Sequence, residues 1–269
     1  MLVTSRWLYD NLNDVKVIEV NYTPEINYFE SHIPTAVLLR WRDLLHDKIR
    51  DFAPPDKISK VLGRLGISKD DTIVLYSDEG NRYAFYAYWV LKAYGHENVY
   101  VLDGGIYKWI KDQYPLTSEV HDPQSCEYAI SKVDWSSRIF ILELLSKLNQ
   151  IELIDARSRE EYEGKITAPP EHKCEQTQVA GRIPGAKNIP WNTLFNEDMT
   201  LKSKDELQKI FHNVNRNKEI VTYCRTGARA SVVWFTLKEI LGYKSVRLYD
   251  GSWVEYGNMV GVPVESSNK

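Results

Sequence analysis

The sequence predicts an α/β protein built from two tandem domains, each with a mainly parallel β-sheet flanked by helices. Three observations lead to this prediction. Short apolar runs alternate with longer segments of helical period, which is the pattern of parallel strands joined by helices. The two halves of the chain present the same features in the same order. The length of 269 residues suits two domains of ordinary size.

The repeat between the halves has an offset of about 150 residues. The segment HIPTA, which begins at His32, matches RIPGA, which begins at Arg182. The apolar run TIVLY, from Thr72, matches EIVTY, from Glu219. Both apolar runs are interpreted as buried strands, each followed by a loop and a helix. Because the order is shared by several separated features, the two halves are predicted to be paralogous domains.

A change of composition near the middle of the chain sets the predicted domain limits. We place the domains at residues 1–120 and 135–269, with a linker at 121–134, where polarity is mixed and Pro and Ser recur. The second half carries about fourteen additional residues, near 165–179. This insert contains Pro and many polar residues, so it is predicted to be a surface loop rather than an added strand.

The composition excludes several classes of function. With 34 Lys and Arg against 37 Asp and Glu, the net charge of −3 provides no positive field for a nucleic acid or an anionic membrane. The longest apolar run, at 83–91, is far shorter than the roughly 20 residues that cross a bilayer. The N-terminus lacks the pattern of a secretory signal. We therefore expect a cytoplasmic protein with no nucleic-acid or membrane partner.

Cysteine and histidine usage predicts neither a metal nor a cofactor. The three cysteines, Cys126, Cys174 and Cys224, are odd in number and lack CxxC spacing, so no disulfide framework or zinc site is expected. The six histidines are scattered without ligand spacing. Cys126 in the linker and Cys174 in the insert are interpreted as incidental thiols. A resolving or regulatory role for Cys174 stays open.

Cys224 is the candidate nucleophile. It follows the predicted strand EIVTY and precedes a Gly-containing turn into a helix, so backbone N–H groups and the helix dipole converge on its sulfur. Arginines in the same turn add positive charge, which favours the thiolate and attracts an anionic substrate. The predicted anion-binding loop consists of Arg225, Thr226, Gly227, Ala228 and Arg229.

Four motifs, LIDAR, RIPGAKNIPW, CRTGARA and YDGSW, occur in this order in the second half. Together with the repeat they resemble the rhodanese family, specifically the two-domain thiosulfate sulfurtransferases, over nearly the whole chain. The resemblance implies that Cys224 removes the outer sulfur of thiosulfate, releases sulfite and holds the sulfur as a persulfide. It also implies transfer of that sulfur to a thiophilic acceptor, such as cyanide, a dithiol or a thiol protein.

The first half serves as an internal control for this site. Ser77 stands at the position of Cys224, and Asp78 and Glu79 stand at the two positions that follow. An alcohol with no obvious base cannot replace a thiolate, and two carboxylates in the loop repel a dianion. The first domain is therefore predicted to be catalytically silent.

Two further positions are candidate substrate-binding residues. The family motif usually reads GHIPGA, and here Arg182 replaces the histidine, either as an additional positive group near the cleft or as a tolerated surface exchange. Asp155 and Arg157 follow a strand whose end faces the same side of the sheet as the Cys224 loop. They either steady the loop or bind substrate, or they form an ordinary ion pair.

Three other functions are alternatives to the thiosulfate sulfurtransferase. Cysteine-dependent phosphatases need a C-x5-R loop, whereas Cys224 to Arg229 is C-x4-R. A 3-mercaptopyruvate sulfurtransferase shares the fold but typically has a neutral CGSG loop, so the charge of Arg225 favours thiosulfate. A binding module without enzymatic activity usually lacks the loop cysteine, which is present here.

Overall fold

A computed structural model describes residues 1–22, 26–170 and 176–267. Cys174 and the middle of the predicted insert lie outside the described residues. In the flanking parts of the insert, at 165–169 and 176–179, the backbone forms bends and irregular loop without a strand. The predicted loop therefore matches the described part of this segment.

The chain divides into two units, each with its own sheet. Unit 1 comprises Met1–Asp134 together with Phe195–Leu201, and unit 2 comprises Trp135–Leu194 together with Lys202–Lys269. All of the paired strands in the described residues of both sheets are parallel. The carboxyl ends of the strands in a unit therefore meet at one edge of its sheet, where ligands of α/β proteins usually bind.

Unit 1 contains a five-stranded sheet in its described residues. Its strands are β1 (Leu2–Val3), β2 (Lys16–Asn21), β3 (Val37–Arg40), β4 (Ile73–Tyr76) and β5 (Val99–Leu102). Its helices are α1 (Ser5–Asp10), α2 (Ile26–Glu30), α3 (Pro55–Arg64), α4 (Arg82–Ala93) and α5 (Gly105–Lys111). The strand order is β1-β5-β4-β2-β3, so β4 lies at the centre.

Unit 2 contains a four-stranded sheet in its described residues. Its strands are β6 (Glu152–Asp155), β7 (Lys187–Asn188), β8 (Ile220–Tyr223) and β9 (Val246–Leu248). Its helices are α6 (Ile141–Lys147), α7 (Arg159–Glu163), α8 (Lys204–Ile210), α9 (Ala228–Phe235) and α10 (Ser252–Tyr256). The order β7-β6-β8-β9 repeats the order of β3, β2, β4 and β5 in unit 1.

The two central strands and the helices that follow them form the most apolar part of each unit. Every residue of β4 and of β8 is buried, as expected for a parallel strand covered on both faces. Helix α4 buries ten of its twelve residues, and α9 buries seven of eight, so both helices are interior elements. The predicted α/β fold with two parallel sheets is confirmed.

Among the described residues, no helix combines the length and the apolar character needed to cross a membrane.

Each unit buries a carboxylate at the end of a matching strand, but with different partners. Glu19 accepts hydrogen bonds from the Tyr76 hydroxyl and from the Asn21 amide, the latter at 2.7 Å. In unit 2, Asp155 pairs instead with the guanidinium of Arg157 at 2.6 Å. Asn21 supplies no charge where unit 2 has an arginine, and burial raises the pKa of Glu19 to about 7.

This difference predicts that ionised Glu19 destabilises unit 1 at alkaline pH. A carboxyl whose pKa is higher in the folded than in the unfolded chain lowers stability as the pH rises from about 4.5 through 7. Glu19→Gln imitates the protonated form, so we expect it to raise the thermal unfolding midpoint by about 3 °C at pH 8. The gain should shrink at pH 5, where the wild-type carboxyl is largely protonated when folded.

The measurement is circular dichroism on heating at both pH values. Glu30→Gln, which changes an exposed carboxylate of the same unit, is the control and should have no effect. An equal gain for Glu19→Gln at pH 5 and pH 8 would show that titration of this group is not the cause.

Candidate active site

Cys224 lies where the sequence places it, between a central strand and a helix of unit 2. Strand β8 ends at Tyr223, and α9 begins at Ala228. The Cys224 side chain is a free thiol and only 1% exposed. The Gly227 N–H donates a hydrogen bond to its Sγ at 3.2 Å. Gly227 has a φ of 95°, a conformation that glycine adopts without steric strain, so the chain can turn here into the helix.

Helix α10 orients the peptide groups of the Cys224 loop. The Trp253 N–H donates to the carbonyl of Cys224 at 3.0 Å, and the Val254 N–H donates to the carbonyl of Arg225 at 3.1 Å. In a trans peptide the C=O and the N–H point in opposite directions. The N–H groups of Arg225 and Thr226 therefore face away from α10, as an anion-binding loop requires.

Arg229 forms a buried ion pair with Glu161, a residue that the sequence analysis did not identify. Its two terminal nitrogens donate to the two Glu161 oxygens at 2.7 and 2.9 Å. The Glu161 side chain is fully buried, and that of Arg229 is 13% exposed. Burial acts to raise the pKa of Glu161, but the hydrogen bonds and charge of Arg229 outweigh it, so this pKa lies below its ordinary value.

Part of the Glu161 arrangement is visible in the sequence. Ser158 and Glu161 form a capping box at the start of α7, in which each side chain accepts a hydrogen bond from the backbone N–H of the other. The S-x-x-E spacing of SREE is the usual signature of that motif. It places a helix start after the LIDAR strand, but it does not reveal the contact with Arg229.

Asp155 is paired with Arg157 inside unit 2. Both side chains are fully buried, and the Arg157 Nη2 lies 2.6 Å from an Asp155 oxygen. The same nitrogen donates to the carbonyl of Gly181 at 2.7 Å. The guanidinium carbon lies 4.5 Å from the ring centre of Trp253, the residue that binds the Cys224 carbonyl. This geometry favours the interpretation of Asp155 as one partner of an ion pair over a role in substrate binding. Through the contact of Arg157 with Trp253, the pair also supports α10.

Arg182 is directed to the C-terminal segment of unit 2. Its Nε lies 3.3 Å from the Glu265 carboxylate, and its Nη1 donates to the Ser267 hydroxyl at 3.1 Å. The guanidinium also stacks 4.4 Å from the ring centre of Tyr162. None of these partners belongs to the loop from Cys224 to Arg229. The arrangement therefore favours the surface exchange over a role near the sulfur.

The corresponding loop of unit 1 is closed by one of its own side chains. The Asn81 Oδ1 accepts the Ser77 N–H at 2.7 Å, and the Asn81 amide donates to the carbonyl of Leu102 at 2.7 Å. The Ser77 hydroxyl donates to the carbonyl of Asp78 at 3.2 Å. Ser77 is therefore a buried residue whose polar groups are engaged within unit 1.

The described residues, 1–22, 26–170 and 176–267, contain no group of three or more His, Cys, Asp or Glu side chains that could hold a metal ion. Nucleophilic chemistry at Cys224 needs no such group. Its requirements are an activated thiol and donors for the developing negative charge.

Two relatives are similar to this chain over nearly its whole length. A relative from Mycobacterium tuberculosis, provisionally named thiosulfate sulfurtransferase, is 44% identical over 269 residues, covering 98% of this chain and 97% of the relative. The sulfur carrier protein TtuD of Thermus thermophilus is 41% identical over 273 residues, covering 98% of this chain and 96% of that protein.

Two solved structures are similar along the entire chain. Wild-type EanB has a TM-score of 0.87 at 25% identity, with 100% of this chain and 69% of EanB covered. YnjE has a TM-score of 0.86 at 24% identity, with 100% and 68% covered. The family model described as Rhodanese-like domain matches twice, at residues 4–112 and 141–259. With one such domain in each half, the chain belongs to the rhodanese family.

Proposed function

We propose that this protein is a thiosulfate sulfurtransferase in which Cys224 is the nucleophile and the persulfide carrier. The observation that carries the proposal is the position of the Cys224 sulfur, which follows a parallel strand and accepts the Gly227 N–H at the start of α9. The matching domains and the relatives' names support a sulfurtransferase. The identities of donor and acceptor are the finer part of the proposal.

The reaction consists of two displacements at sulfur. The Cys224 thiolate attacks the outer sulfur of thiosulfate, the S–S bond of thiosulfate breaks, and its electron pair leaves with sulfite. The new S–S bond makes Cys224 a persulfide with a negatively charged terminal sulfur. Cyanide or a thiolate then attacks that sulfur, forms thiocyanate or a new persulfide, and releases the Cys224 thiolate. Electrons balance without an external oxidant or reductant, and ping-pong kinetics follow from the covalent intermediate.

The loop matches the charges that this reaction creates. The donor, the leaving group and the persulfide are all anionic, and backbone N–H groups turned away from α10 can donate to such groups. We assign this role to Arg225, Thr226, Gly227 and Ala228. A persulfide held in this way stays bound until an acceptor arrives.

The two loop arginines receive different roles. Glu161 balances the charge of Arg229 with two hydrogen bonds, so we assign to Arg229 the support of the loop and of the nearby thiolate. We assign the selection of a dianionic donor to Arg225, which lies next to the nucleophile. Because the Glu161 carboxylate is paired with Arg229, it does not repel an anion at the loop.

Unit 1 is proposed to be catalytically silent. Ser77 has no thiol, its hydroxyl donates to the carbonyl of Asp78, and its N–H is already bound by Asn81. Its neighbour Asp78 is acidic where unit 2 has Arg225. Both differences act against the capture of an anionic sulfur donor.

Delivery of the sulfur to a protein acceptor is a second candidate function. It is favoured by the Thermus thermophilus relative, whose name is sulfur carrier protein. The same Cys224 persulfide would serve either function, and only the acceptor differs. The 3-mercaptopyruvate sulfurtransferase and the binding module without activity are the alternatives that the following experiments test.

The role of Cys224 is tested by Cys224→Ser. We expect this variant to lose cyanide-dependent sulfite release, because an alcohol is a much weaker nucleophile than a thiolate. After incubation with thiosulfate, mass spectrometry of the wild type should find one added sulfur atom on the peptide that contains Cys224. Cys126→Ser, which changes an exposed thiol of unit 1, should retain turnover. Activity retained by Cys224→Ser would refute the assignment.

The role of Arg225 is tested by Arg225→Gly with two donors. Loss of a charge-assisted contact should lower kcat/KM for the dianion thiosulfate about tenfold more than for the monoanion 3-mercaptopyruvate. Steady-state kinetics with each donor provide the measurement. Equal losses would contradict the charge argument, and a better rate with 3-mercaptopyruvate in the wild type would favour the other donor.

The Glu161–Arg229 pair is tested by Glu161→Gln. Glutamine keeps the capping box but leaves the buried arginine uncompensated, so the free energy of unfolding should fall by about 3 kcal/mol. The double variant with Arg229→Gln removes both charges and should recover part of that loss. Glu160→Gln, on the exposed face of α7, is the matched control. Urea unfolding measures all four proteins, and an unchanged Glu161→Gln would show that the pair contributes nothing.

A further inference from the structure

Ser252 contacts the backbone of the candidate nucleophile. Its Oγ accepts the Cys224 N–H at 3.1 Å and donates its own hydrogen to the carbonyl of Tyr249 at 2.8 Å. The Tyr249 carbonyl can only accept, so it fixes the direction of the hydroxyl and leaves the oxygen lone pairs for Cys224. Ser252 is fully buried, so no water competes for these bonds.

The backbone of Ser252 has a conformation that serine rarely adopts. Its φ is 52°, in the left-handed region. The residue at the matching position of unit 1 is Gly105, with a φ of 53°. Glycine adopts this conformation without strain, and serine does not. Unit 2 therefore retains a side chain at a position where glycine would be less strained. The side chain must therefore contribute something that glycine cannot.

In the two units, the backbone N–H at the matching position donates to different side chains. In unit 1, the Ser77 N–H is bound by Asn81, which belongs to the loop itself. A Cβ atom at Gly105 would lie 2.8 Å from the Asn81 Oδ1 and 2.7 Å from the Ser77 carbonyl oxygen, so a serine does not fit there. In unit 2 the position of Asn81 is taken by Ala228, and Ser252 binds the N–H from outside the loop.

We propose that Ser252 is a positioning residue of the sulfur-transfer site. This inference rests on the proposed role of Cys224 as the nucleophile. Ser252 holds the Cys224 N–H while Trp253 holds the carbonyl of the same residue, so the main chain of Cys224 is fixed on both sides. The Cα–Cβ bond of Cys224 then keeps its direction, and Sγ stays within reach of the Gly227 N–H.

The use of Ser252 in unit 2, in place of Asn81 in unit 1, also affects the composition of the loop. When the hydrogen-bond acceptor for the strand-end N–H comes from α10, the loop needs no polar side chain of its own at position 228. Ala228, which occupies that position, has no polar side chain. Ser252 thus acts through Cys224 and does not itself touch the substrate.

The test compares Ser252→Gly and Ser252→Ala with the wild type in the full chain. Glycine suits the positive φ but leaves the Cys224 N–H without its acceptor, so the two effects should offset each other and the thermal midpoint of Ser252→Gly should stay close to that of the wild type. In both variants, we expect iodoacetamide to alkylate Cys224 at pH 7 about tenfold more slowly, because the sulfur loses its aligned N–H donor. The rate of persulfide formation should fall about tenfold.

Ser231→Ala is the matched control. Ser231 is also buried in unit 2 and donates to a backbone carbonyl, that of Ala228, at 2.7 Å. Its removal should leave the alkylation rate unchanged. If the Ser252 variants are alkylated and form persulfide at the wild-type rates, the proposal is wrong, even if their stability changes.

Alkylation needs no sulfur donor, which separates this inference from the proposed function. A wild type that does not release sulfite from thiosulfate, but whose Cys224 is alkylated more slowly on removal of the Ser252 hydroxyl, would refute the thiosulfate activity and support the positioning role. Sulfite release that is unaffected in Ser252→Gly would support the activity and refute the positioning role.

Discussion

The opposite directions of C=O and N–H in a peptide group are the constraint on which the candidate site depends. Two successive carbonyls, those of Cys224 and Arg225, are bound by N–H groups of α10. The N–H groups of the loop must then face the other way. A loop suited to binding an anion is thus produced by a contact on its far side, and the residues that make this contact need not approach a ligand.

Several buried charged side chains in unit 2 form ion pairs. Asp155 binds Arg157 and Glu161 binds Arg229, so each buried carboxylate is balanced by a neighbouring guanidinium. A buried ion is tolerated only when a partner and further hydrogen bonds offset its desolvation. Cys224 lies within this arrangement, since it interacts electrostatically with Arg229. The site is therefore stabilised by the same pairing that stabilises the interior.

Local patterns in the sequence predict the fold and identify Cys224 as the candidate nucleophile. Strand β8, the turn at Gly227 and helix α9 are contiguous, so apolar periodicity and a glycine predict them together. Glu161 and Ser252 could not be found in this way, because their contacts with Arg229 and Cys224 join residues 68 and 28 positions apart. The same limit applies to Arg182, whose interaction with Glu265 spans 83 positions and depends on where the C-terminal segment lies.

The exchange of Asn81 for Ser252 constrains how the two halves could have diverged from a common ancestor. A Cβ atom at position 105 would meet the Ser77 carbonyl oxygen as well as Asn81, and loss of Asn81 alone leaves the buried Ser77 N–H without its acceptor. Each single step is therefore unfavourable, and the two sites must change together or through an intermediate of reduced stability. The two loops are thus alternative ways of holding the same strand-end N–H, and no single substitution converts one arrangement into the other.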